Sequence, residues 1–113
     1  MKIIKKSQAK SFQNSLVCTA YEYSLGDKDL NASVIELNGR YPDSGRVVNE
    51  VCKEIVHVIQ GSGKVVIDGK EVELHTGDQL LIEPHKKYYF DGNITFVALC
   101  APAWYPEQHK EVE

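Results

Sequence analysis

Among the 113 residues, the side chain best placed to do chemistry is the carboxylate of Glu54. It opens the run Glu54-Ile55-Val56-His57-Val58-Ile59-Gln60, where an extended backbone puts it on one face with Cys52, Val56 and Val58. If that face looks inward, burial disfavours the ionised form and raises the pKa. Such a group serves as an acceptor for ligand hydroxyls or as a general base nearer neutrality. The plainer alternative is a structural pair with Arg46, Lys53 or a tyrosine. Arg46 is also a candidate partner for an anionic ligand, and Tyr41, Trp104 and Tyr105 are candidates to rim an opening.

The histidines are four. His57 lies three residues past Glu54 and so faces the other way along a strand, as a packed or interface residue. His75 precedes a Gly77-Asp78 turn and reads as exposed. His109 lies near the C-terminus, free to fold over a pocket although nothing in the sequence requires it. Cys18, Cys52 and Cys100 are an odd number without CxxC spacing, which indicates neither a disulfide framework nor a zinc knuckle. Each sits in an apolar run and reads as a small buried hydrophobe. Gly61-Ser62-Gly63 is too short for a phosphate loop and reads as a hairpin turn. The sequon Asn93-Ile94-Thr95 reads as chance.

Length and charge narrow the class. One domain over residues 1–113 is expected, with a barrel core at about 16–100 and a tail at 101–113. A formal net charge of -3 gives no reason to bind nucleic acid, whose affinity rests on neutralised phosphates. Lys2, Lys5, Lys6 and Lys10 cluster, but in a polar N-terminal stretch that reads as solvated. Met1–Ser7 does not read as a signal peptide, since only Ile3-Ile4 is apolar before polarity returns. No run approaches membrane-spanning length. A cytoplasmic protein without a membrane partner is expected.

The elements that must position Glu54 are short β-strands. Lys2–Asn14 reads as an edge strand or a helical turn. Leu16–Ser24 and Leu30–Leu37 read as strands, Asn38–Gly45 as a loop, and Arg46–Val51 as extended. Strands follow at Glu54–Gln60, Gly63–Ile67, Lys70–Leu74 and Gln79–Ile82. Asp68-Gly69 marks a two-residue turn, because both central positions of a type I′ turn need positive φ. Lys87–Phe90 and Ile94–Cys100 read as a hairpin around Asp91-Gly92-Asn93, after which Pro102 and Pro106 end regular structure. Eight to ten short strands with evenly spaced turns imply an all-β barrel or sandwich. Ile55–Ile59 and Leu80–Ile82 are apolar on both faces, and a second copy of the chain is a plausible cover, so a homodimer is expected.

The stretch Glu54–Pro84 resembles the cupins, a family of small jelly-roll barrels built as a double-stranded β-helix. Their first motif places a glycine seven residues after a glutamate, as Glu54 and Gly61 do here. Their second begins Gly-Asp, runs through an apolar strand and reaches a proline, as Gly77-Asp78-Gln79-Leu80-Leu81-Ile82-Glu83-Pro84 does. The resemblance spans about residues 34–100. It implies the fold and leaves the activity open, because this barrel hosts isomerases, epimerases, dioxygenases, decarboxylases, storage proteins and sugar-sensing domains.

The resemblance also implies where a metal would sit, and the ligands there are changed. The family's His-x-His pair falls on Val48 and Glu50, or on Val47 and Asn49, and its third histidine falls on Tyr88. Only Glu54 is kept. Imidazoles suit iron, nickel, zinc or copper. What remains (Glu54, Glu50 or Asn49, and Tyr88) is an oxygen set suited at most to weak Mg²⁺ or Mn²⁺ binding. No tightly held cofactor is expected. Of Asn49 and Glu50, adjacent along a strand, one must face inward, and the sequence does not say which. His85 stands where many cupins have glycine, near a barrel mouth.

Two functions follow. In the first, the barrel binds a polar small molecule, carbohydrate-like in chemistry, through Glu54, Tyr88 and Asn49 or Glu50, with Arg46, His85 and Trp104 about the opening. In the second, it is an isomerase or epimerase of sugar-type substrates, with Glu54 as base and Tyr88 as acid on opposite sides of the ligand.

Overall fold

The structure is a computed structural model that describes residues Met1–Glu113. Nine strands follow one another along the chain: β1 (Lys10–Ser15), β2 (Cys18–Glu22), β3 (Asn31–Tyr41), β4 (Arg46–Asn49), β5 (Lys53–Ile67), β6 (Lys70–His75), β7 (Gln79–Ile82), β8 (Tyr88–Ala101) and β9 (His109–Val112). Short 3-10 turns at Lys6–Gln8 and Pro106–Gln108 are the only helical pieces. All pairings are antiparallel, in the order β1-β2-β3-β8-β4-β9, with β5 joining β6, β7 and β8. The sheet curls into the expected jelly-roll barrel.

The Asp68-Gly69 turn forms as read. Asp68 has φ 49 and Gly69 φ 83, and the flanking residues Ile67 and Lys70 are paired. The Asp68 side chain accepts the Lys87 N–H at 3.0 Å, which ties the turn to the segment leading into β8.

Two other glycine clusters are not turns. Gly61-Ser62-Gly63 lies inside β5, and Asp91-Gly92-Asn93 inside β8, so the two expected hairpins are continuous strands of 15 and 14 residues. The reason is steric. Gly92 is paired with both Gly63 and Gly39, and a Cβ on Gly92 would stand 2.5 Å from the Gly63 Cα. Here glycine lets backbones approach where long strands bend, which a reading by turn propensity mistakes for a break. Between Val58 and Gln60 the β5–β8 register shifts, adding to the bend.

The C-terminus departs from expectation too. The two prolines end β8 but not regular structure, because the chain returns to lay β9 against β4, with Asn49 paired to His109. Strand β3 likewise runs through Gly39 to Tyr41, which shortens the expected loop to Pro42–Gly45.

The core fills one part of the barrel. Val47, Val56, Val58, Val65 and Ile82 are completely or almost completely buried, beside Phe90 and Phe96, whose rings stack 4.9 Å apart. Tyr88 meets Phe90 edge to face at 5.7 Å. On β5, Glu54, Val56 and Val58 share the buried face, as the alternation requires. All three cysteines are free and buried. No helix is long and apolar enough to cross a membrane.

Candidate functional site

A cavity of about 580 Å³ opens into the barrel beside this core. Its wall carries Cys18, Ala20, Leu37, Phe90, Phe96 and Ala98, and its polar groups include Glu54, Tyr88, Tyr41 and His109. Trp104 and Tyr105 also line it, while Phe12 on β1 is half-exposed along one side. An apolar enclosure with a few convergent polar groups is the usual form of a small-molecule site.

The polar groups are held by an ordered chain of hydrogen bonds that starts from the backbone. The Gln108 Oε1 accepts the N–H groups of Val51 and Cys52 at 3.2 and 3.1 Å, which fixes which end of that amide is oxygen. Gln108 Nε2 therefore donates to Asn49 Oδ1, at 3.0 Å. With Asn49 so oriented, its Nδ2 donates to the Tyr88 hydroxyl at 3.3 Å and, more weakly, to Glu54 Oε1 at 3.5 Å. His109 Nδ1 lies 2.8 Å from Asn49 Oδ1 and must be the protonated nitrogen. The other ring nitrogen, Nε2, carries the lone pair and lies 3.5 Å from the Tyr41 hydroxyl.

Each of these side chains is where its strand puts it. Asn49 and His109 are direct partners across β4 and β9, and Glu54 is the partner of Cys100 across β5 and β8. The Cys100 thiol donates to Glu54 Oε1 at 3.5 Å. No cation pairs with Glu54; the protein's ion pairs are Lys64–Glu71, His75–Glu73 and Lys86–Asp68, all at the surface.

Burial dominates the electrostatics. It pushes the Glu54 carboxyl up to about 7, with the bonds from Cys100 and Asn49 pulling the other way. Burial and the Glu54 charge hold Tyr88 well above the ordinary phenol value, so it stays a neutral donor. Tyr41 is raised to about 12, again chiefly by burial. Burial lowers His109, so its imidazole is neutral near neutral pH.

The residues named from sequence divide. Glu54, Tyr88, Asn49 and Trp104 are brought together about the cavity. Asn49 is the inward member of its pair, 1% exposed, and Glu50 is exposed to solvent. Arg46 does not line the cavity; paired with Val112 at the far end of β9, its guanidinium donates to the Glu113 carbonyl. His85 is exposed, with φ 70, and only its backbone N–H reaches the site's strands, donating to the Asn49 carbonyl at 2.8 Å. His57 bonds Gln79 at 3.2 Å on the outer face. The expected placement of Glu54 and Tyr88 on opposite sides of a ligand is also corrected, since both lie within hydrogen-bond reach of one Asn49 nitrogen. His109, free in sequence to fold over a pocket, does line the cavity, whereas nothing in the sequence singles out Gln108. Their only signal was polar residues in a tail that could pair with β4.

The donor set does not suit the metal associated with this barrel type. At the former imidazole positions, the atom turned towards Glu54 and Tyr88 is the Asn49 amide nitrogen, which has N–H groups and no lone pair to offer a cation. The Asn49 oxygen is engaged by Gln108 and His109. No group of three or more His, Cys, Asp or Glu side chains is placed to hold a metal ion.

Comparison with known proteins agrees with the fold. The cupin domain family model matches residues 34–101, and the chain belongs to that family. Pac13, described as a nucleoside dehydratase, is 16% identical with a TM-score of 0.87, over 96% of this chain and 88% of that one. A Streptomyces Pac13 variant solved with uridine is 17% identical, with a TM-score of 0.89 over 100% of this chain and 93% of that one. A cupin-superfamily sugar phosphate isomerase from Silicibacter pomeroyi is 16% identical, with a TM-score of 0.71 over 88% of this chain and 74% of that one. At these identities the likeness is one of fold. Comparison with curated proteins finds no sequence match.

Proposed function

We propose that the protein binds a polar, sugar-like small molecule in its barrel and moves a proton on it without a resident transition metal. The observation that carries this reading is the Glu54 carboxyl: buried, free of any ion pair, open to the cavity and poised at about 7. A general base works best with a pKa near the working pH, and an unpaired buried carboxylate is costly to keep for structure alone. In this reading Glu54 takes the proton from a carbon next to a substrate carbonyl. The neutral Tyr88 hydroxyl donates to the oxygen on which charge develops. His109, with Nε2 unprotonated, is a second proton acceptor on the same cavity. An isomerisation through an enediol and the loss of a hydroxyl β to the carbonyl both begin with this proton removal. A sugar phosphate isomerase and a nucleoside dehydratase on the same fold support that class of chemistry. Three free, buried cysteines fit a reducing compartment, the cytoplasm.

The test is solvent-deuterium exchange into a panel of aldoses, ketoses and nucleosides oxidised to carry a sugar carbonyl, followed by proton NMR. The wild-type protein is expected to label the carbon beside the carbonyl of at least one compound. Glu54→Gln should lower that rate by about 10²-fold or more while binding changes only a few-fold. Binding without exchange above the protein-free control would leave a binding domain and remove the enzyme.

A further inference from the structure

We propose that the ligand carries no phosphate or other anionic group, and is an uncharged, hydroxyl-bearing ring molecule of the free-sugar or nucleoside type. This rests on the sugar-class reading above and narrows it. The two enzymes described above differ on this point, one named for a nucleoside and the other for a sugar phosphate.

Charge on the cavity wall carries the inference. Two carboxyl groups line it, Glu54 and Glu22. Glu22 lies at the end of β2 and takes part in none of the protein's ion pairs. Burial raises its pKa, and no cation offsets the effect. The one lysine on the wall is Lys10, exposed on the edge strand β1. Phosphate is normally held by a guanidinium fork, a lysine or a helix N-terminus, and the one lysine here stands in solvent at the sheet edge, where its charge is screened. The chain has two arginines, and both are committed elsewhere. Arg40 donates to the carbonyls of Pro42 and Gly45 and lies 3.9 Å over the Tyr89 ring, while Arg46 holds the Glu113 carbonyl. The nearby helical turn, Pro106–Gln108, is three residues long.

What the wall does offer suits hydroxyl groups. Each carboxylate oxygen accepts, and the pair on one carboxylate matches two neighbouring hydroxyls. The Tyr88 and Tyr41 hydroxyls add neutral donors, and the Trp104 and Phe12 rings give flat surface for a sugar or base. A phosphate would instead bring further negative charge towards two unpaired carboxylates in a partly enclosed space, where solvent screens poorly.

Trp104 is the only tryptophan and lines the cavity, so its fluorescence reports occupancy; calorimetry provides an independent measure. Uridine and ribose are titrated against uridine 5′-monophosphate and ribose 5-phosphate, at about pH 8, where Glu54 is ionised. Each neutral compound is expected to bind at least about tenfold more tightly than its phosphate, and added salt should narrow the gap as screening grows. Glu22→Gln should narrow it several-fold. Equal or tighter binding of the phosphates would overturn the inference and leave the sugar-class reading standing. If none of the four compounds binds, the sugar-class reading falls and takes this inference with it.

Discussion

Asn49 and His109 are cross-strand partners joined by a 2.8 Å bond from imidazole Nδ1 to amide oxygen, and that contact makes the C-terminal strand part of the site. Without the segment from Pro106 to Val112 the cavity would lack its imidazole, and Asn49 would lose the partners that set its direction. One short pairing thus fixes the orientation of an amide, the tautomer of a histidine and the donor shown to Glu54.

Replacing Asn49 tests that dependence. Asn49→Leu strands Gln108 Nε2 and His109 Nδ1 in a buried space and removes a donor from Glu54 and Tyr88. Each buried group left unpaired costs about 1–3 kcal/mol, so a loss of about 2–6 kcal/mol is expected in urea unfolding. Asn49→Asp keeps the acceptor but adds a charge. It should raise the His109 pKa and push Glu54 above its present value of about 7, both readable by NMR titration.

Glu54 sets a pH dependence of known sign. Its folded pKa of about 7 lies above the ordinary 4.5, so the folded state binds the proton more tightly than the unfolded chain. Stability is therefore full below about pH 4.5 and falls as pH rises through about 7. The loss is about 3 kcal/mol on this shift, at 1.36 kcal/mol per pKa unit. Glu54→Gln should abolish this slope, matching the wild type near pH 4.5 and exceeding it near pH 8 in denaturant midpoints. A wild-type stability that stays flat across that window would contradict the buried carboxyl.

The sequence made the barrel and the inward placement of Glu54 legible because both follow from local rules. Alternation along β5 put Glu54 with Val56 and Val58, and the Asp68-Gly69 turn declared itself by residue type. The site's remaining members depend on pairings between distant segments. Nothing local says that His109 will lie beside Asn49, or that Arg46 will be drawn off to Glu113. The glycines failed for a related reason: Gly63 and Gly92 are needed for each other, and neither reveals this alone.

Gly92→Ala checks that account. A hairpin loop would tolerate alanine with little effect. Here φ is 141° and a Cβ would stand 2.5 Å from the Gly63 Cα, 2.8 Å from the Ser62 carbonyl oxygen and 3.4 Å from the Gly63 nitrogen. Backbone strain of about 1–3 kcal/mol combines with a clash against atoms that cannot swing away. A loss above about 3 kcal/mol is expected in thermal or urea unfolding, whereas Gly69→Ala, with open space around it, should lose less.

The outer face of the β5–β7–β8 region predicts self-association. Ile55 is half-buried between its partners Leu81 and Leu99, and those two are 51% and 36% exposed. A second copy laid on this strip would cover all three, and the charge of a glutamate there would oppose it. Sedimentation should give a dimer whose dissociation is promoted by Leu81→Glu or Leu99→Glu. A wild-type mass that stays monomeric up to high concentration would remove the expectation.

Metal analysis separates the site's inherited geometry from its present chemistry. The barrel position that would hold imidazoles has Asn49 and Tyr88, with Glu54 kept. Because the Asn49 amide presents N–H groups there and the Tyr88 phenol is held protonated by burial, a transition ion between these groups would find one carboxylate, and the one imidazole lone pair on the cavity, His109 Nε2, is turned to the Tyr41 hydroxyl instead. Wild-type protein, purified without nickel resin or chelator, should therefore contain well below stoichiometric iron, nickel, zinc or copper. The double variant Asn49→His/Tyr88→His supplies two imidazoles beside Glu54 and should bind Zn²⁺ or Ni²⁺ measurably more tightly than the wild type by calorimetry. Stoichiometric metal in the wild type would show that the Asn49 amide turns over to offer its oxygen, and the hydrogen-bond chain from Gln108 would then have to be broken.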